Sequence, residues 1–290
     1  MIVVIVGPTG VGKTKMSVEL AKRINAEIIN GDSMQVYKGL DIATAKVKND
    51  EKQNIPHHLF DIVSVDCNYT VYDYQKDCRR TIEEINSKGK NIIIVGGTGL
   101  YIKAALYNYN FKEETDSFDF SNYSNEELMN KIIELGGNDF IHINNRKRLE
   151  RELTKIYNHS ESNGKKDEPL YDFKIIGLST DRDVLYKKID ERVDKMLKEG
   201  LLQEVKELYD ANVRSKAINT GIGYKELYQY YDGKISKEEA IDLIKRNSRH
   251  YAKRQYTFFN NQLNVAWFNV NYNDFDKTIE EVYEFVIKEE

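Results

Sequence analysis

Eight residues near the N-terminus, Gly7, Pro8, Thr9, Gly10, Val11, Gly12, Lys13 and Thr14, follow the spacing G-x-x-x-x-G-K-[ST]. The glycines let successive backbone N–H groups converge on phosphate oxygens, and a helix beginning at the lysine adds partial positive charge. Lys13 supplies a full charge, and the Thr14 hydroxyl is a candidate ligand for Mg²⁺. The motif predicts a phosphorylated ligand. It does not choose between a nucleoside triphosphate and any other pyrophosphate, so that choice must come from other residues.

Two further groups stand where such a ligand would be met. Gly31, Asp32, Ser33, Met34 and Gln35 follow one apolar run, and Gly96, Gly97, Thr98 and Gly99 follow another. In an open parallel sheet the ligand crevice lies beyond the carboxyl ends of the strands. Asp32 would then face the phosphate loop as a proton acceptor or as a ligand to metal-bound water, and Thr98 could donate to a phosphate oxygen. By position alone Asp32 could also be a helix cap, and the glycines ordinary turn residues. His57 and His58 are adjacent, so they point different ways on a regular element, and no third ligand lies at a metal-site spacing.

The elements that must hold these groups are legible as patterns. Buried strands are predicted at residues 2–6, 27–30, 91–95, 173–178 and 265–270, each a short apolar or β-branched run. Helical spacing is predicted over 14–24, 72–87, 184–198 and 237–259. Strands alternating with helices imply an α/β fold with a mostly parallel sheet, of the P-loop NTPase-like kind. From about residue 113 to 172 the sequence turns polar and helix-rich, which predicts a helical insertion between core segments 1–112 and 173–290. Residues 160–168, short of apolar side chains, read as a mobile loop.

The bulk properties narrow the partners. Over 290 residues the formal charge is −4, so no global excess of positive charge points to nucleic acid. Charge is unevenly placed, however. Residues 274–290 hold seven acids against two bases, whereas 245–254 hold five bases and no acid. Cys67 and Cys78 match no zinc spacing and make no disulfide scaffold. The opening apolar run is too short for a signal peptide or a membrane span, which sets a cytoplasmic expectation, and no spare apolar stripe argues against a monomer.

Beyond the phosphate loop, the segments NGDSMQVYKGLDIATAK (30–46), PHHLFDI (56–62), VGGTGLY (95–101), KRLERE (147–152), DRDVLYKKIDERVDKMLKEGLLQEV (181–205), GIGYKEL (221–227) and RHYAKRQYTFF (249–259) occur in order along nearly the whole chain. With GPTGVGKT they resemble the tRNA dimethylallyltransferases of bacterial type, also called tRNA isopentenyltransferases. The resemblance implies transfer of a dimethylallyl group from its diphosphate to N6 of the adenosine 3′ of the anticodon, with Mg²⁺ as the metal. It further implies that the loop from Gly7 to Thr14 binds the donor diphosphate and that Asp32 accepts the N6 proton. Thr98 would help hold the phosphate oxygens, and Ser33, Met34 and Gln35 would line the adenine. The tRNA anticodon stem-loop would meet Lys147, Arg148, Leu149, Glu150 and Arg151 of the insertion, and Arg249, Lys253 and Arg254 of the C-terminal half.

On charge pattern alone, the insertion's bases could instead pair with Glu150 and Glu152 on a solvated face, and RNA contact and a solvated face are equally consistent with Arg246, Arg249 and Lys253. Thr220 stands where many relatives carry glutamine or arginine, and Phe258 where many carry tryptophan. Two other readings share the phosphate loop. A prenyltransferase acting on free adenine nucleotides has less need of an insertion. A small-molecule kinase would use Asp32 on an acceptor hydroxyl and Arg182 or Arg192 as a lid arginine.

Overall fold

The computed structural model describes residues 1–109, 118–138, 140–158 and 168–288. Six parallel strands form one sheet in the order β3-β2-β4-β1-β5-β6. They are β1 (Ile2–Val6), β2 (Ala26–Asn30), β3 (His57–His58), β4 (Asn91–Val95), β5 (Phe173–Ser179) and β6 (Ala266–Asn269). All five strands read from the sequence are present. The two-residue β3, with neither apolar run nor alternation, was not among them. β1 is central, with Ile2 beside Ile92 of β4 on one side and Phe173 of β5 on the other. Its five residues are all buried, which is why it reads as an unbroken apolar run.

Both sheet faces are covered. On one, α1 (Lys13–Ile24) and α11 (Phe275–Ile287) bring Met16, Leu20, Ile279 and Val282 against Val3, Ile5 and Ile28. Ion pairs Lys15–Asp276 (3.1 Å) and Arg23–Glu280 (2.5 Å) join the two helices, so part of the acidic C-terminal segment is balanced locally. On the other, α2 (Val71–Ser87), α3 (Gly99–Leu106) and the end of α10 (Lys237–Gln262) bring Tyr74, Ile82, Ile102 and Phe259 against Val4, Val6 and Ile94.

A further helical layer was not foreseen as a separate body of structure. It comprises α6 (Arg182–Lys198), α7 (Leu201–Asp210), α8 (Lys216–Thr220), α9 (Tyr224–Tyr231) and the first half of α10. Val193, Met196, Leu201, Tyr224, Leu227 and Ile244 close there on Val36, Tyr37 and Leu40, which follow β2.

The chain divides into two compact units, Met1–Tyr107 with Pro169–Glu290, and Asn108–Glu168. The smaller contains α4 (Asn125–Glu134) and α5 (Arg146–Tyr157), packed through Leu128, Ile132, Leu149 and Leu153. Of the segment expected to be mobile, residues 160–167 lie outside the described residues. No helix among the described residues is long and apolar enough to cross a membrane.

Candidate active site

The phosphate loop leaves β1 and turns into α1, as the motif requires. Gly10 (φ +85°) and Gly12 (φ +94°) have the left-handed backbone that other residues adopt only with strain, and Gly12 is the N-cap of α1. Lys13 folds back over the loop, its Nζ donating to the carbonyls of Gly7 (2.9 Å) and Pro8 (2.8 Å). Burial pushes this ammonium down to about 7, and the nearby Arg192 guanidinium pushes the same way against a smaller opposing pull from Asp32.

Arg192, on α6, is the second cation. Burial lowers its pKa as well, with Asp32 again opposing, and among the described residues its Nη2 donates only to the Thr44 carbonyl, at 3.4 Å. Two partly desolvated cations, each within electrostatic reach of one carboxylate, make a field that favours an anion. The sequence reading held Arg182 and Arg192 as equivalent lid arginines. The structure separates them, because Arg182 is exposed over the Tyr186 ring whereas Arg192 lines the cavity.

Asp32 is held in place from behind. The buried Asn30 side chain donates to the Asp32 and Leu59 carbonyls (both 3.0 Å) and accepts from the Asp32 N–H at 2.9 Å. One Asp32 carboxylate oxygen accepts from Met34 N–H at 2.9 Å, a local turn that leaves the other oxygen to the cavity. Thr98, at the start of α3, accepts from the Ser33 N–H (3.0 Å) and donates to its hydroxyl (3.2 Å). It therefore buttresses the Asp32 turn. It is not among the cavity-lining residues.

The glycines after β4 are explained by packing. A Cβ on Gly96 would lie 2.1 Å from the Gly31 backbone, one on Gly97 2.0 Å from Gln255, and one on Gly99 2.2 Å from the Phe258 ring. The last two contacts come from α10, whose residues supply what the sequence reading missed. The Gln255 amide accepts from Thr9 N–H (3.3 Å) in the phosphate loop and donates to the Gly97 carbonyl (3.0 Å). Nothing in the residue types marks Gln255, since both partners are far away in sequence.

Together these groups line a cavity of about 870 Å³. Gly10, Lys13 and Thr14 lie on its wall with Asp32, Ser33, Met34 and Gln35, with Arg192 of α6, and with Tyr251, Arg254 and Gln255 of α10. Residues 41–48 supply another stretch of wall. Glu204 fixes that segment by accepting from the N–H groups of Asp41 (3.1 Å), Ile42 (2.6 Å) and Ala43 (3.2 Å) and from the Tyr224 hydroxyl (2.7 Å). Gln35 Nε2 also ties it down, donating to the Thr44 carbonyl at 3.0 Å. The buried Lys46 adds ion pairs to Asp41 (2.6 Å) and Asp61 (2.5 Å).

The histidines behave as their alternation predicts. His57 lines the cavity, its Nδ1 2.8 Å from the Ile55 carbonyl, and burial lowers its pKa. His58 instead pairs with Glu27 at 2.7 Å. Thr220 also lines the cavity, its hydroxyl donating to the Lys216 carbonyl at 2.8 Å.

Of the residues expected to meet RNA, one is corrected by its burial. Leu149 is fully buried among Leu128, Ile132 and Leu153 and presents no surface. Glu150 is paired with Arg146 at 2.7 Å, and Glu152 with Lys155 at 3.2 Å. With both carboxylates engaged elsewhere, Lys147, Arg148 and Arg151 are exposed and form no ion pair among the described residues. On α10, Arg249 is paired with Asp190 of α6 at 2.5 Å, so it joins helices. Lys253 is exposed, and Arg254 lies over the Tyr251 ring at 5.5 Å.

Comparisons with known proteins agree in order and in shape. The family model described as IPP transferase matches residues 35–262, beginning just after Asp32. A tRNA dimethylallyltransferase of Bacillus licheniformis is 46% identical over 286 residues, covering 93% of this chain and 90% of the relative. One from Bacillus subtilis is 45% identical over 289 residues, with the same coverage. Among solved structures, a full-length tRNA isopentenylpyrophosphate transferase of Bacillus halodurans superimposes with a TM-score of 0.78 at 43% identity, covering 98% of this chain and 95% of that one. A eukaryotic dimethylallyltransferase acting on tRNA gives 0.80 at 28% identity, with 97% and 77% covered.

Proposed function

Because this chain belongs to the IPP transferase family, we propose that it transfers a dimethylallyl group from dimethylallyl diphosphate to N6 of the adenosine 3′ of the anticodon in tRNA, releasing pyrophosphate. The observation that carries the reading is the placing of Asp32 on the same cavity wall system as Lys13 and Arg192. A carboxylate with no ion pair among the described residues stands beside an anion site.

The chemistry needs two kinds of help. As the allylic C1–O bond breaks, negative charge grows on the leaving pyrophosphate. Lys13, Arg192 and the amides at the start of α1 lie where they would stabilise it. As the N6–C1 bond forms, the amine proton becomes acidic, and the Asp32 carboxylate oxygen not bound to Met34 N–H would accept it. The adenine would reach the cavity by leaving its stack in the anticodon loop.

Mg²⁺ fits the donor set. No group of three His, Cys, Asp or Glu suited to a metal occurs among the described residues, so no all-protein cage is offered. The Thr14 hydroxyl, a hard oxygen beside Lys13, is suited to a metal that takes most of its ligands from diphosphate and water. When bound, Mg²⁺ would neutralise diphosphate charge.

The test is to incubate the protein with Mg²⁺, labelled dimethylallyl diphosphate and either unmodified tRNA or AMP, beside Asp32→Ala. Label entering tRNA with the unaltered chain alone supports the proposal. Label entering only AMP moves it to free-nucleotide prenylation, and ATP consumption with no prenyl transfer to a kinase.

A further inference from the structure

The cavity has an apolar patch beyond Arg192, and α6 spaces it from the phosphate loop. Midway along its length the helix meets the phosphate loop, where a Cβ on Gly10 would touch Ile189 at 3.9 Å. Just beyond its last residue, Gly200, the N-cap of α7, meets the segment after β2, where a Cβ on it would touch Ile42 at 3.8 Å. Between these points Ile189, Arg192, Val193 and Met196 lie on one face, and all four line the cavity. Met196 is four residues beyond Arg192, roughly 6 Å along the axis. That is about the reach of one five-carbon isoprene unit from its diphosphate oxygen.

Val193 and Met196 are buried in the same cluster as Ile244, which enters from α10 and also lines the cavity. Val193, Met196 and Ile244 therefore give the cavity an apolar patch within about one helical turn of Arg192, with the charged Lys195 and Glu199 lining it alongside. We propose that Met196, backed by Val193 and Ile244, sets the length of the prenyl group, admitting one isoprene unit and excluding two. The inference rests on the prenyl-transfer reading, and it assigns Met196 to donor selection.

The experiment compares dimethylallyl and geranyl diphosphate as donors, using the full chain, Mg²⁺ and unmodified tRNA. Equilibrium binding of both donors is measured in parallel, with an anticodon stem-loop carrying purine in place of the target adenine, so that no transfer occurs. Met196→Ala should raise the geranyl-to-dimethylallyl ratio of kcat/KM, and of affinity, by at least about 30-fold, the scale at which one or more methylene-sized spaces discriminate. Met196→Leu, which conserves volume, should leave the ratio near that of the unaltered chain.

Ile244→Ala, opening the same wall from α10, keeps the test available if Met196→Ala fails to fold. An unaltered chain that binds or uses both donors alike overturns the proposal, as does an unchanged ratio in folded variants. Selective binding of dimethylallyl diphosphate without transfer to tRNA would instead sink the acceptor assignment and leave Met196 as the length gauge.

Discussion

Gln255 donates from its side-chain amide to the Gly97 carbonyl at 3.0 Å, and by its other amide atom it accepts from Thr9 in the phosphate loop. One α10 residue thus holds two loops in register. Gln255→Leu removes both bonds and leaves the buried Gly97 carbonyl without this donor. Steady-state kinetics should show transfer reduced by about 10- to 100-fold, with a lower Tm. Gln255→Glu should not rescue it, because a carboxylate cannot donate to Gly97.

Asp32→Asn keeps the shape of the turn and removes the base. Transfer should fall by about 10² to 10⁴-fold, the usual range for losing a positioned proton acceptor. Donor affinity should change little. A loss confined to donor KM would contradict the role given to Asp32.

Lys13 has a pKa lowered to about 7 by burial, so its ammonium is present below that pH and lost above it. A bound diphosphate favours the charged form. Binding above pH 7 is therefore expected to take up a proton, and affinity to fall as pH rises, by at most about tenfold per pH unit. Titration calorimetry in buffers of different ionisation enthalpy measures that uptake, which should vanish in Lys13→Met.

In the smaller unit, replacing Lys147, Arg148 and Arg151 together by Ala should weaken tRNA binding and reduce the slope of log affinity against log salt by roughly 2. Thermal stability should hold, since all three are exposed. Leu149→Ala should do the opposite, destabilising the unit by about 2–5 kcal/mol through a core cavity. Intact RNA affinity in the triple variant would remove these bases from the interface.

The contrast between Leu149 and its neighbours shows where a sequence can be read and where it cannot. Strands β1, β2, β4, β5 and β6 were legible because burial on both faces writes them as apolar runs, and the phosphate loop because its backbone demands glycine at set places. Leu149 and Leu153 are four apart and belong to a helix core, a period that outweighs membership of a basic motif. Gln255, Glu204 and the Arg249–Asp190 pair were not legible, because each depends on partners dozens to hundreds of residues away. Arg192 was visible as a charge but not as a cavity residue until α6 was placed.

The central position of β1 bears on how the chain is made. Of the six strands this one is synthesised first, yet its neighbours are β4 and β5, so it cannot be paired on both sides until residue 179 has been synthesised. Parallel pairing over such a separation forms slowly. Meanwhile the five apolar residues of β1 lack their final cover, a stretch that a nascent-chain chaperone would shield. The smaller unit is completed before β5 exists and has a core of its own, so it can condense during that interval without drawing on the unfinished sheet.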